Sequence, residues 1–140
     1  MAIYAFGASY EGSKDVSSDF IKYGVACVGW TKNEAPTLYA VLRHIRIGDI
    51  VYLKAHPPNV GLKIKAVGIV VNDEVTEPKP GLGWGVPVEW IWQGNESLGK
   101  IKDKYPIRNI TLYEEHNSEV QTKVLNLLLA KIKGAPKKGN

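Results

Sequence analysis

The stretch Leu42-Arg43-His44-Ile45-Arg46-Ile47-Gly48-Asp49-Ile50-Val51-Tyr52-Leu53 changes its hydrophobic rhythm midway, and that change decides the fold class. Upstream, Leu38, Val41, Leu42 and Ile45 lie three and four residues apart, which is one apolar helix face ending near Arg46. Downstream, Ile50 to Leu53 is a short β-branched strand, and Gly48-Asp49 is the tight turn that joins the two. Pro36 suits the first turn of the helix, with Thr31 or Asn33 as its cap.

Toward the N-terminus, residues 2–9 read as a strand, followed by a loop rich in Gly, Ser and Asp. Ser17 or Ser18 caps a short helix through Tyr23, and Gly24 stops it. Gly24 to Trp30 is apolar and β-prone. Toward the C-terminus, Pro57-Pro58 keeps residues 55–61 out of a sheet interior. Leu62 to Val71 alternates and then turns wholly apolar, a strand entering the core, with Gly68 marking a bulge or a close approach. Residues 76–83 form a loop. Trp84, Val86, Val88, Trp90 and Trp92 then alternate, which sets the three tryptophans on one face unless a bulge intervenes, and Pro87 points to an edge or a bulge. Ile107 to Tyr113 reads as a last short strand. Asn117 or Ser118 caps a final helix to about Lys133, with Val120, Val124, Leu127, Leu128 and Ile132 on one face. The order is not an alternation of strand and helix. It predicts one α+β domain over 1–133, a curled sheet or small barrel of about five or six strands with about three helices, and a basic disordered tail over 134–140.

Composition narrows the function classes. The 140 residues are 44% hydrophobic and 23% charged, enough to bury a core and unlike a disordered chain. No apolar run approaches the roughly 20 residues that span a bilayer, and the N-terminal residues lack the basic and apolar regions of a signal peptide. The single Cys27, in an apolar run, reads as a small buried hydrophobe in a reducing compartment, so the expected location is the cytoplasm. A net charge of +4 is compatible with a nucleic-acid partner without requiring one.

Motifs of catalysis are scarce. His44, His56 and His116 have no partner at metal-ligand spacing, and neither a phosphate-cradling loop nor a cofactor fingerprint occurs, so neither metal nor cofactor is expected. His56, opening a Pro-Pro loop after a strand, stands where ligands meet loops. Glu114-Glu115 precedes a helix N-terminus, whose partial positive charge accounts for it. Glu89 reads as a solvent-facing strand residue. Against this stands an unusual aromatic content: four tryptophans and seven tyrosines with two phenylalanines. Such side chains join a flat apolar face to a polar edge, as stacking on a base demands. Most of them read as packing residues, whereas Trp30, after Gly29 at a strand exit, reads as a ligand wall.

In order, Gly29-Trp30, the helix, Gly48-Asp49 with its strand, Ala66-Val67-Gly68-Ile69-Val70-Val71 and Trp84-Gly85-Val86-Pro87-Val88-Glu89-Trp90 resemble the EVE domain of the PUA-like superfamily over roughly residues 2–114. The chain departs from that pattern at Lys54-Ala55-His56, where EVE domains carry a Tyr-His-Ser-like triplet, and around Trp30. The resemblance implies non-catalytic recognition of a modified, for example methylated, or flipped-out base of DNA or RNA. Trp30 would then stack on the base, Trp84 or Trp90 would add a second wall, and Lys54 and His56 would reach a base edge or a phosphate. Lys32, Arg43, Arg46, Lys63 and Lys65 would bind backbone phosphates. Two alternatives stand beside it: a small enzyme of PUA- or ASCH-like type using Lys54, His56 and Glu89, and a protein-interaction domain with an exposed tryptophan patch.

Overall fold

The computed structural model describes residues 1–134 apart from residue 12. The basic tail expected at 134–140 therefore lies, beyond Gly134, outside the described residues. Among the described residues, eight strands and three helices follow in the order β1 (Ile3–Gly7), β2 (Ser9–Tyr10), β3 (Lys14–Asp15), α1 (Ser17–Tyr23), β4 (Val25–Val28), α2 (Pro36–Leu42), β5 (Ile50–Ala55), β6 (Leu62–Val70), β7 (Trp84–Gly99), β8 (Leu112–Glu114) and α3 (Ser118–Ile132). Six strands form one curled mixed sheet in the order β4-β7-β6-β5-β1-β8, and β2 pairs with β3 in a small separate ribbon. The fold is α+β, as the break in hydrophobic rhythm at Gly48-Asp49 implies.

Each face of the sheet carries its own core. Phe20 of α1 and Tyr39 and Leu42 of α2 pack with Phe6, Val28, Leu53 and Val86 on one face. Val120, Val124 and Leu128 of α3 cover Ala5, Tyr52, Ile64 and Val67 on the other. Burial of both faces explains why β1 and β5, adjacent parallel strands inside the sheet, are apolar along nearly their whole length.

Several boundaries differ from expectation for local reasons. Helix α2 ends at Leu42 rather than near Arg46, and single turns carry the chain on while Ile45 stays buried. The Asp49 carboxylate holds this corner, accepting from the Arg46 amide at 2.8 Å and the Ala2 amide at 3.0 Å, while Gly48 takes φ +90°. Ala35, not Thr31 or Asn33, is the N-cap of α2. Thr31 exchanges bonds with Glu34 one turn earlier instead. Val16 precedes α1, and Asp15 rather than a serine accepts from the Ser17 amide, whereas Gly24 ends α1 in the left-handed region as expected. Asn117 caps α3 through its side-chain oxygen, also as expected. The last strand is only Leu112–Glu114; residues 107–110 form a turn.

Strand β7 overturns two expectations. Pro87 sits on no edge: β7 pairs with β4 up to Pro87↔Val25 and with β6 from Val88↔Val70. The Pro87 carbonyl accepts from Val71, so its missing N–H faces the end of β6, where no ladder bond is required. The tryptophans do not share a face either. A register shift between Val67 and Gly68 leaves Ile91 without an opposite residue, which sends Trp90 to the first core and Trp92 to the second. Gly68 combines both of its expected roles, since a Cβ there would lie 2.5 Å from the Glu89 carbonyl oxygen.

Candidate functional site

The chain leaves β4 through Gly29 and Trp30. Gly29 has no side chain because the Tyr10 ring lies over it: a Cβ would stand 2.9 Å from Tyr10 Cζ. Tyr10 is fixed in turn by its hydroxyl, which donates to the Leu82 carbonyl at 2.5 Å. The loop before β7 is drawn against the same strand end, and Gly83, at φ +91°, lies so close to the Val28 carbonyl that no side chain fits. These two glycines bring Trp30 and Trp84 to one cavity. The Trp30 carbonyl accepts from the Tyr39 hydroxyl at 2.9 Å, and its indole N–H points to Thr111 Oγ1 at 3.3 Å.

The cavity holds about 550 Å³ and is lined by Trp30, Tyr39, Trp84, Lys32, Arg43 and Glu77, among others. Trp30 and Trp84 are 51% and 44% exposed, large for such rings. On its other side Trp30 borders a smaller hollow of about 340 Å³ with Tyr10, Glu34 and Thr111. Thr111 links this hollow to a third space of about 600 Å³ that holds Lys54, His56, Lys65, Asp15 and Asn109. The expected residues therefore divide between two neighbouring cavities. Trp30, Trp84, Lys32 and Arg43 meet in one, Lys54, His56 and Lys65 in the other.

The remaining expected residues are used elsewhere. Trp90 does not line these cavities; its indole N–H is shared between the Phe20 and Val25 carbonyls at 3.0 and 3.2 Å, tying α1 to the sheet. Trp84 is the tryptophan that joins Trp30. The Arg46 guanidinium closes the turn after α2 through the Arg43 and Ile45 carbonyls, at 2.6 and 3.0 Å. Lys63 is half-buried on β6 and lines neither cavity. Lys65, on the wall of the second cavity, is ion-paired there to Asp15 at 2.9 Å. Glu89 faces solvent, apart from Lys54 and His56.

The Lys54 ammonium is buried and donates to the Arg108 carbonyl at 2.7 Å. Burial, and then the Arg108 charge, hold it down to about 8. His56 Nδ1 lies 3.2 Å from Asn109 Oδ1. In Asp15, burial favours the neutral acid, but bonds from Ser17 and Lys65 outweigh it and hold the carboxyl down to about 2. Burial pushes the Cys27 thiol up to about 12, with a smaller push from Glu77, in keeping with a packing role.

One cluster carries no motif. Arg108, 5% exposed, meets Asp103, Glu115 and the Tyr113 hydroxyl, and Tyr52 donates to the same Glu115. Glu115 is thus an internal anchor rather than a helix-terminus charge, and Glu114 is the exposed member of that pair. Among the described residues, no group of three or more His, Cys, Asp or Glu side chains could hold a metal ion, and no helix is long and apolar enough to cross a membrane.

No family model and no curated protein matches the chain. Among solved structures, the NMR structure of Rpa0253 from Rhodopseudomonas palustris is similar at a TM-score of 0.54 and 14% identity, with 91% of this chain and 93% of that one covered. At that identity the likeness is one of fold: the two chains share an architecture over nearly their whole lengths.

Proposed function

We propose that the chain is a cytoplasmic, non-catalytic nucleic-acid-binding module that takes a modified or flipped-out base into the Trp30–Trp84 cavity. The observation that carries this reading is the meeting of two half-exposed tryptophans, from the end of β4 and the start of β7, in one cavity rimmed by Lys32 and Arg43. Its volume of about 550 Å³ lies within the roughly 300–1,000 Å³ usual for ligand pockets. Indole faces stack on any base, and the two cations suit the phosphates on either side. The resemblance of Gly29-Trp30, Gly48-Asp49 and the later tryptophan strand to EVE domains favours the same class of ligand.

The enzyme reading has less support, because Glu89 lies apart from Lys54 and His56 and leaves them without a carboxylate partner of the expected kind. The test is a tryptophan-fluorescence titration with single- and double-stranded oligonucleotides bearing unmodified, 5-methylated or N6-methylated bases. Quenching that favours one base, and that weakens about tenfold or more in a folded Trp30→Ala variant, is expected for loss of one stacking partner. Equal, salt-sensitive binding to every oligonucleotide would reduce the surface to a basic patch. No binding at all would turn attention to a protein partner.

A further inference from the structure

The polar cavity between β1, β5 and the 109–111 segment presents a separate problem of charge. Lys54 is 9% exposed, yet its ammonium carries three donors and, among the described residues, makes one hydrogen bond, to the Arg108 carbonyl. No carboxylate among the described residues neutralises it. The Arg108 guanidinium repels it, and the one carboxylate on the cavity wall, Asp15, is already paired with Lys65 and bonded to Ser17. A buried ammonium without a counter-ion is costly, and Lys54 borders an open space of about 600 Å³. Gly7 lines that space with no side chain, where a Cβ would stand 3.5 Å from Nζ. His56 and Asn109 stand on the same wall, 3.2 Å apart. The wall holds two lysines against one carboxylate, so its net charge is positive.

We propose that this cavity is an oxyanion site, in which Lys54 Nζ takes the phosphate or carboxylate group of a ligand and His56 and Asn109 hydrogen-bond it. The anion is the counter-ion that the protein itself does not supply. Binding restores the ammonium, which burial and Arg108 otherwise hold down to about 8, toward its ordinary value. This site does not rest on the base reading, and Trp30→Ala leaves it intact.

The experiment titrates the full chain with sulfate, which stays a dianion over the working range, and follows backbone amide shifts by NMR. Expected are saturable shifts at Gly7, Ser9, Ala55, His56 and Asn109 that chloride at equal ionic strength does not produce. Affinity falls about tenfold or more from pH 7 to 9.5, as an ammonium titrating near 8 discharges. Asp15, Lys65, His56, Arg108 and Tyr113 are the other charged or titratable groups around it, so Lys54→Met, which removes both the affinity and its pH dependence, isolates Lys54. Should that variant not fold, Asn109→Ala in place of it weakens sulfate severalfold with the pH profile retained. Linear shifts, equal shifts with chloride, or unchanged sulfate affinity in folded Lys54→Met would overturn the site. Competition by a 5′-phosphorylated oligonucleotide, but not by its hydroxyl-ended form, would place a strand end there. Competition by acetate, with neither oligonucleotide acting, would place a free carboxylate there.

Discussion

The Arg108 guanidinium lies fork-to-fork against the Glu115 carboxylate, Nη1 on Oε1 and Nη2 on Oε2, and both side chains are sealed from solvent. Asp103 and the Tyr113 hydroxyl occupy the rest of the guanidinium, and the Asn117 amide and the Tyr52 hydroxyl fill the carboxylate. The loop before β8, the strand β5 and the entry to α3 are thereby fastened at one point.

Glu115→Ala is expected to lose about 3 kcal/mol of stability in urea unfolding, because it removes one of the two carboxylates on a buried guanidinium and leaves the buried Tyr52 hydroxyl without its acceptor. Glu115→Leu combined with Arg108→Met should lose much less than the sum of the two single changes. Additive losses would show that the two groups act separately.

Gly68→Ala is expected to destabilise by about 1–3 kcal/mol, since the new Cβ would meet the Glu89 carbonyl oxygen at 2.5 Å and Val88 Cγ1 at 2.6 Å. Thermal unfolding of the purified variant measures it, and an unchanged midpoint would mean that β6 and β7 can separate freely at the bulge.

Cys27 should resist thiol reagents at pH 8 in the folded chain, because its thiol is buried and pushed up to about 12. Labelling is expected to follow the rate of global unfolding, read by stopped-time mass spectrometry across a urea series. Rapid labelling without denaturant would contradict its burial among Ala26, Val28 and Val86.

Lys54 gives stability a pH dependence of known sign. Its folded value, about 8, lies below the ordinary 10.5, so between these two the unfolded chain binds more protons and stability rises with pH. The contribution is complete above about 10.5 and lost as pH falls through 8. Relative to Lys54→Met, the wild-type chain should therefore gain on the order of 1–3 kcal/mol between pH 7.5 and 10. Parallel pH profiles of the two proteins would refute this.

What could be read from the sequence was whatever is encoded by neighbours along the chain. The period change at Gly48-Asp49, the stop at Gly24, the Asn117 cap and the exit of Trp30 from its strand are all local signals, and the structure bears them out. What could not be read depends on residues far apart. The face of Trp90 is set by one unmatched residue, Ile91, against β6, which no alternation in β7 reveals. The burial of Glu115 depends on Arg108 and Tyr52, and an acidic pair ahead of a helix looks the same whether one carboxylate is internal or neither is. Gly81 and Gly83 looked like mere loop residues, yet Gly83 against Val28 is what brings Trp84 to Trp30.

Strand β1 lies between β5 and β8, pairing Tyr4 with Val51 on one side and with Glu114 on the other. Within this sheet the first strand in chain order thus waits for the last, and until Leu112–Glu114 joins it one of its edges stays open. Closing so long a loop delays the sheet and favours a late, all-or-none assembly. Until then the apolar β1 is exposed to edge-to-edge mispairing.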